Sequence, residues 1–219
     1  TKYTAVPGIL PLREAIRDRM RRRTGVDYPV ANITVSNGGK QVIFDALLAT
    51  LDTGDEVIIP APYWVSYPDM VLACDGTPVI VKCGSENGFK LSPAALEAAI
   101  TPKTRWLILN APSNPTGAIY TADELKALAE VLLRHPHVWL LTDDIYDEIQ
   151  FTGATLPSPV SVEPKLVDRT FLVNGVSKTY AMTGWRIGYG VGPEAIVKAI
   201  NKLQSQMSSC AVSVSQAAS

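Results

Sequence analysis

The chain has 219 residues, 47% of them hydrophobic and 19% charged, with a formal net charge of −1. This is enough to bury one large core and too apolar for a disordered segment. The balanced charge gives no electrostatic reason to expect a nucleic-acid or membrane partner, and no apolar run reaches the ~20 residues of a bilayer span. Three widely spaced cysteines, Cys74, Cys83 and Cys210, argue against a disulfide framework and for a reducing, cytoplasmic compartment. The opening "TKYTAVPGIL" lacks the charged-then-apolar order of a secretory leader. Both ends read as cut: a helix begins almost at once, and the chain stops in "AVSVSQAAS".

In chain order, "PLREAIRDRMRRR" (11–23) is helical, with Leu12, Ile16 and Met20 about a turn apart. "NITVSN" (32–37) is a strand and "KQVIFDALLATL" (40–51) a helix. "DEVIIP" (55–60) is a short apolar strand bounded by turn signals. "WVSYPDMVLACD" (64–75) is a helix with Pro68 near its start, and "TPVIVKC" (77–83) a strand. "SPAALEAAI" (92–100) is a helix that Ser92 caps, with Pro93 at its first position. "TRWLILN" (104–110) is a strand. "TADELKALAEVLLR" (121–134) is a helix whose Thr121 and Glu124 have capping-box spacing. Strands follow at 137–143, 169–175 and 185–192, and a helix at 194–207. His135 and His137 flank Pro136 between a helix and a strand; with no further His or Cys cluster, a helix end is the reading and a metal site the lesser alternative.

Strands alternate with helices and are apolar throughout, which predicts a mostly parallel central sheet covered by helices on both faces. The last two strands have no long helix between them, so one of them is expected to run antiparallel. Ligands in such sheets bind beyond the carboxyl ends of the strands, so the residues just past each strand carry the functional reading. These are "NGGKQ" with Gly38, Gly39 and Lys40; "NAPSNPTG" with Asn114; Asp143 and Tyr146 in "DDIYDE"; and Ser177, Lys178 and Arg186 in "VSKTYAMTGWRIG".

An aromatic heterocycle bearing an aldehyde, a ring nitrogen, a phenolic oxygen and a phosphate fits that set, and pyridoxal phosphate has all four. Lys178 would link covalently to the aldehyde, which accounts for a lysine in so apolar a setting. Asp143 would pair with the ring nitrogen, and Tyr146 and Asn114 would hydrogen-bond the phenolic oxygen. Arg186, Ser177 and the helix-opening amides at 38–40 would hold the phosphate. Trp64, in "PYWVSYP", would stack on the ring. Plainer readings stand beside these. Asp143 could be a cap with Asp144 the functional acid, Trp64 could be core, Lys40 a solvated helix residue, and Lys178 a loop lysine.

The stretches "YTAVPGI", "SNGGKQ", "GDEVIIPAPYWVSYP", "ENGFKL", "ITPKTRWLILNAPSNPTGA", "TDDIYDE" and "NGVSKTYAMTGWRIGY" cover nearly the whole chain in order. As a set they resemble the fold-type-I, pyridoxal-phosphate-dependent aminotransferases of class I/II, bacterial aspartate aminotransferases above all. The resemblance implies the roles given above, with Lys178, Asp143 and Tyr146 catalytic. It implies a homodimer in which Tyr3 reaches the neighbouring subunit's cofactor phosphate. It implies that Lys40 helps hold the distal carboxylate of an amino-acid or 2-oxo-acid substrate, near Trp64 and Asn114. Residues 1–219 match the cofactor-binding large domain. The family's N-terminal segment and C-terminal small domain, with the arginine for the substrate α-carboxylate, find no counterpart. An aromatic or prephenate aminotransferase, another lyase or synthase on the same scaffold, and a non-catalytic regulatory module are the alternatives.

Overall fold

A computed structural model describes residues 2–151, 153 and 155–219. Eight α-helices run through the described residues: α1 (Leu10–Thr24), α2 (Gly39–Leu48), α3 (Ser66–Ala73), α4 (Pro93–Ala99), α5 (Ala122–Arg134), α6 (Pro159–Val162), α7 (Glu194–Met207) and α8 (Ser213–Ala217). Seven strands form one sheet: β1 (Ile33–Ser36), β2 (Glu56–Ala61), β3 (Thr77–Lys82), β4 (Thr104–Asn110), β5 (Trp139–Asp143), β6 (Thr170–Gly175) and β7 (Gly188–Val191). Their order is β1-β7-β6-β5-β4-β2-β3. The pairs from β3 to β6 are parallel, and β7 runs antiparallel to both β6 and β1. The mixed α/β architecture and the single reversed strand are those read from the sequence.

Side chains alternate across the strands, so the central strands β2, β4, β5 and β6 each feed two cores. Val57, Ile59, Trp106, Ile108, Leu141 and Phe171 face α2, α3 and α7. Ile58, Leu107, Leu109 and Leu140 face α4 and α5, and β1, β6 and β7 add Ile33, Leu172 and Val191 against α1. The helix starts are chemically fixed. The Ser92 hydroxyl accepts the Ala95 N–H at α4, and Thr121 and Glu124 form the full capping box at α5.

Several details differ from expectation. The strand expected at 185–192 starts only at Gly188, because a 3-10 turn spans Thr183–Trp185 and Arg186 takes a left-handed φ of 55°. The helix expected at 64–75 is two residues shorter at each end, which leaves Trp64 ahead of its first turn. The closing stretch "AVSVSQAAS", for which no element was expected, carries α8, tied back by Gln216, whose Oε1 accepts the Ile9 N–H at 2.8 Å. No helix among the described residues is long and apolar enough to cross a membrane.

Candidate active site

The parallel strands deliver their carboxyl ends to one edge of the sheet, and a pocket of about 380 Å³ opens there. Gly39 and Lys40 come from the start of α2, Trp64 and Tyr67 from the β2–α3 turn and α3, and Asn110 and Asn114 from the end of β4. Asp143, Ile145 and Tyr146 come from the end of β5, and Ser177, Lys178, Thr183 and Arg186 from the turns between β6 and β7. Nine of the eleven site residues picked from the sequence thus line this pocket, and Gly38 adjoins it beside Arg186. Tyr3 is 85% exposed and lies apart, beside Cys210 and Val212 at the foot of α8.

Asp143 is buried on the α2–α3 face of the sheet. Its Oδ2 accepts the Tyr67 hydroxyl at 2.6 Å and its Oδ1 the Ile145 N–H at 3.3 Å. Burial pushes its pKa up to about 6, against the pull of those two hydrogen bonds. Asp144 turns to the other face, where Arg23 of α1 meets it at 2.6 Å and the Thr142 hydroxyl bonds it. The alternative assignment of Asp144 therefore puts the acid in an ion pair outside the pocket.

Neighbouring groups brace the rest. The Asn110 amide donates to the Asp143 carbonyl at 2.8 Å and its oxygen accepts the Asn114 N–H at 2.8 Å, which ties the loop bearing Asn114 to β5. Lys178 Nζ sits 5.7 Å from the centroid of the Tyr146 ring, and Lys40 Nζ 4.9 Å from that of Trp64. The Arg186 guanidinium donates to the Thr183 and Asn37 carbonyls, which lays it against the start of α2. A Cβ on Gly38 would come within 2.1 Å of Arg186 Nη2, and one on Gly188 within 2.2 Å of the Gly39 nitrogen. Bare backbone is therefore required where the α2 amides and Arg186 face the pocket. A helix start with an adjacent guanidinium suits a phosphate.

The donor set is a match for pyridoxal phosphate: an anion cradle at one end, a buried carboxyl at another, an amine between them, and an aromatic wall. The sequence reading missed Tyr67, Asn110 and Thr183. Tyr67 was discoverable, because the helix expected over 64–75 sets it three residues after Trp64 and so toward the same side; in the structure the two rings meet edge to face at 5.3 Å.

The family described as aminotransferase class I and II matches residues 1–219. The aspartate/prephenate aminotransferase of Cereibacter sphaeroides is 57% identical over 99% of this chain and 54% of its own length. The aspartate aminotransferase of Rhizobium meliloti is 55% identical over 100% of this chain and 53% of its own. The crystal structure of the Rhizobium meliloti enzyme superposes with a TM-score of 0.98 over the whole chain and 55% of its own. A Thermus thermophilus aspartate aminotransferase with maleate gives a TM-score of 0.94 at 42% identity, over 99% of this chain and 55% of that one. The chain spans about half the length of the curated relatives it matches. Sequence, fold and pocket agree, and the chain belongs to the class I and II aminotransferases.

Proposed function

We propose that these residues form the cofactor-binding large domain of an enzyme that moves an amino group between an amino acid and a 2-oxo acid. The observation that carries this is the convergence of Lys178, Asp143, Tyr146, Asn114 and Arg186 on one pocket at the start of α2. Class I aminotransferases use pyridoxal phosphate. When bound, it supplies a protonated ring that draws off the electron pair of a broken Cα–H bond. Lys178 holds it through Nζ. Once free, that amine accepts the α-proton of the bound amino acid. Asp143, as an anion, keeps the ring nitrogen protonated. Tyr146 and Asn114 would hold the phenolic oxygen, Trp64 would stack on the ring, and Arg186, Ser177 and the Gly39 and Lys40 amides would hold the phosphate.

Lys40, poised over Trp64 at the pocket mouth, favours a second carboxylate on the substrate, so aspartate and glutamate are the preferred donors. The relatives' names point the same way, and the Thermus relative is described with maleate, a dicarboxylate. Prephenate as acceptor is the second reading, favoured by the name of the Cereibacter relative. No residue lining the pocket is assigned to the substrate α-carboxylate. The enzyme acts as a homodimer, with the exposed Tyr3 completing a neighbour's phosphate site; a monomer in sedimentation at micromolar concentration would remove that part. The three free cysteines support a cytoplasmic setting.

Borohydride reduction in the presence of pyridoxal phosphate, followed by peptide mapping, tests the assignment. The label is expected on Lys178. A label on Lys40 or Lys198 instead refutes it.

A further inference from the structure

We propose that Tyr67 is a positioning residue of this site, whose hydroxyl holds the Asp143 carboxyl as an oriented anion at the pocket wall. The inference rests on the reading of the pocket as a pyridoxal-phosphate cradle, in which an anionic Asp143 has work to do.

The geometry is specific. Tyr67 stands on α3, 76 residues from Asp143, and its ring is 2% exposed. Its O–H donates to Asp143 Oδ2 at 2.6 Å, the length of a charge-assisted bond. The other oxygen has only the longer bond from the Ile145 N–H, at 3.3 Å. The same Tyr67 ring takes Trp64 edge to face at 90°. One side chain therefore sets both the acid and the aromatic wall.

The electrostatics agree. Burial works against an anion at Asp143, and the neighbouring Asp144 adds to that, while the Tyr67 bond is the first effect opposing it. Burial, followed by the nearness of Asp143, holds the Tyr67 phenol well above its usual value. It therefore stays a donor throughout the working range. The other groups facing Asp143 are Tyr146 from its own turn, Lys178 from the turn after β6, and Lys40 and Arg186 across the cavity. None of these donates a hydrogen bond to the carboxyl, so Tyr67 fixes its direction.

The test needs no catalysis. The chain is labelled with carbon-13 at the aspartate carboxyls, and Asp143 is assigned by the resonance lost in Asp143→Asn. Its titration is then followed without cofactor. Tyr67→Phe keeps the ring and the Trp64 contact, and is expected to move the Asp143 midpoint up by at least about one pH unit, the effect of losing a hydrogen bond to a charged group. An unmoved midpoint overturns the proposal. Incorporating 3-fluorotyrosine, a more acidic donor, tests the same bond without removing it and is expected to move the midpoint down; no movement there overturns it as well. Titration with pyridoxal phosphate separates the two readings. If the midpoint moves as expected but the unaltered chain takes up no pyridoxal phosphate, Tyr67 keeps its role and the cofactor assignment falls. If uptake occurs, Tyr67→Phe is expected to shift its pH dependence upward by the same amount as the NMR midpoint.

Discussion

Replacing Arg23 with Met is expected to cost this fold a large part of its stability, although Arg23 lies outside the pocket. Its guanidinium reaches Asp144 at 2.6 Å and Asp147 at 2.9 Å, with side-chain exposures of 8%, 4% and 2%. Asp147 keeps Arg19 at 3.0 Å and the Asn174 amide at 3.0 Å, so it remains partnered in the variant. Among the described residues Asp144 keeps only the Thr142 hydroxyl, and it becomes a buried charge without an ion-pair partner there. Removing one partner of a buried ion pair costs about 3–5 kcal/mol, a large share of the roughly 5–15 kcal/mol of a typical domain. Urea unfolding reads this as a midpoint lower by about 1–2.5 M, at slopes of roughly 2–3 kcal/mol/M. Adding Asp144→Asn removes the stranded charge and should recover part of the loss, with a coupling above about 1 kcal/mol in the double-mutant cycle. A loss under about 1 kcal/mol for Arg23→Met, or strict additivity in the cycle, would refute the claim that this clamp carries the turn between Asp143 and Tyr146.

Gly38→Ala places a Cβ 2.1 Å from Arg186 Nη2 at a φ of +91°, so the guanidinium must leave the α2 start; affinity for pyridoxal phosphate should fall at least about tenfold, and an unchanged Kd would contradict the cradle. Asp45 is fully buried on α2 with neither oxygen hydrogen-bonded, and burial, with Gln41 pulling the other way, raises its pKa from 3.8 to about 6. The native state therefore holds that proton longer than the unfolded chain and loses stability as pH rises through 6, so Asp45→Asn should change little near pH 4 and gain about 2–3 kcal/mol at pH 8; equal effects at both pH values would sink this reading. Lys40→Ala should lower the aspartate-to-alanine ratio of kcat/KM at least about tenfold, the effect of one charge-assisted contact; an unchanged ratio removes Lys40 from the substrate site.

The parts of the site that were legible in the sequence are those set by local rules. A residue just past an apolar strand of a parallel sheet must lie at its carboxyl edge, which is why Asn114, Asp143, Lys178 and the start of α2 could be placed together before their contacts were known. The choice of Asp143 over Asp144 rested on its place at the strand end and its three-residue spacing to Tyr146; in the structure Leu141 and Asp143 share the α2–α3 face, and Asp144 falls to the other. What stayed hidden depends on pairings between distant segments. Nothing local says that Arg23 will meet Asp144 across 121 residues, or that Tyr67 will meet Asp143 across 76. Strand order is hidden for the same reason: β7 lies between β1 and β6, with Gly188 close against Gly39, a pairing of distant segments. The two hidden pairings bear on the same turn from opposite faces of the sheet. Arg23 fixes the backbone that presents Asp143, and Tyr67 fixes the carboxyl on it. A change at Arg23 should therefore disturb Asp143 through stability, and a change at Tyr67 through its titration, with little exchange between the two readouts.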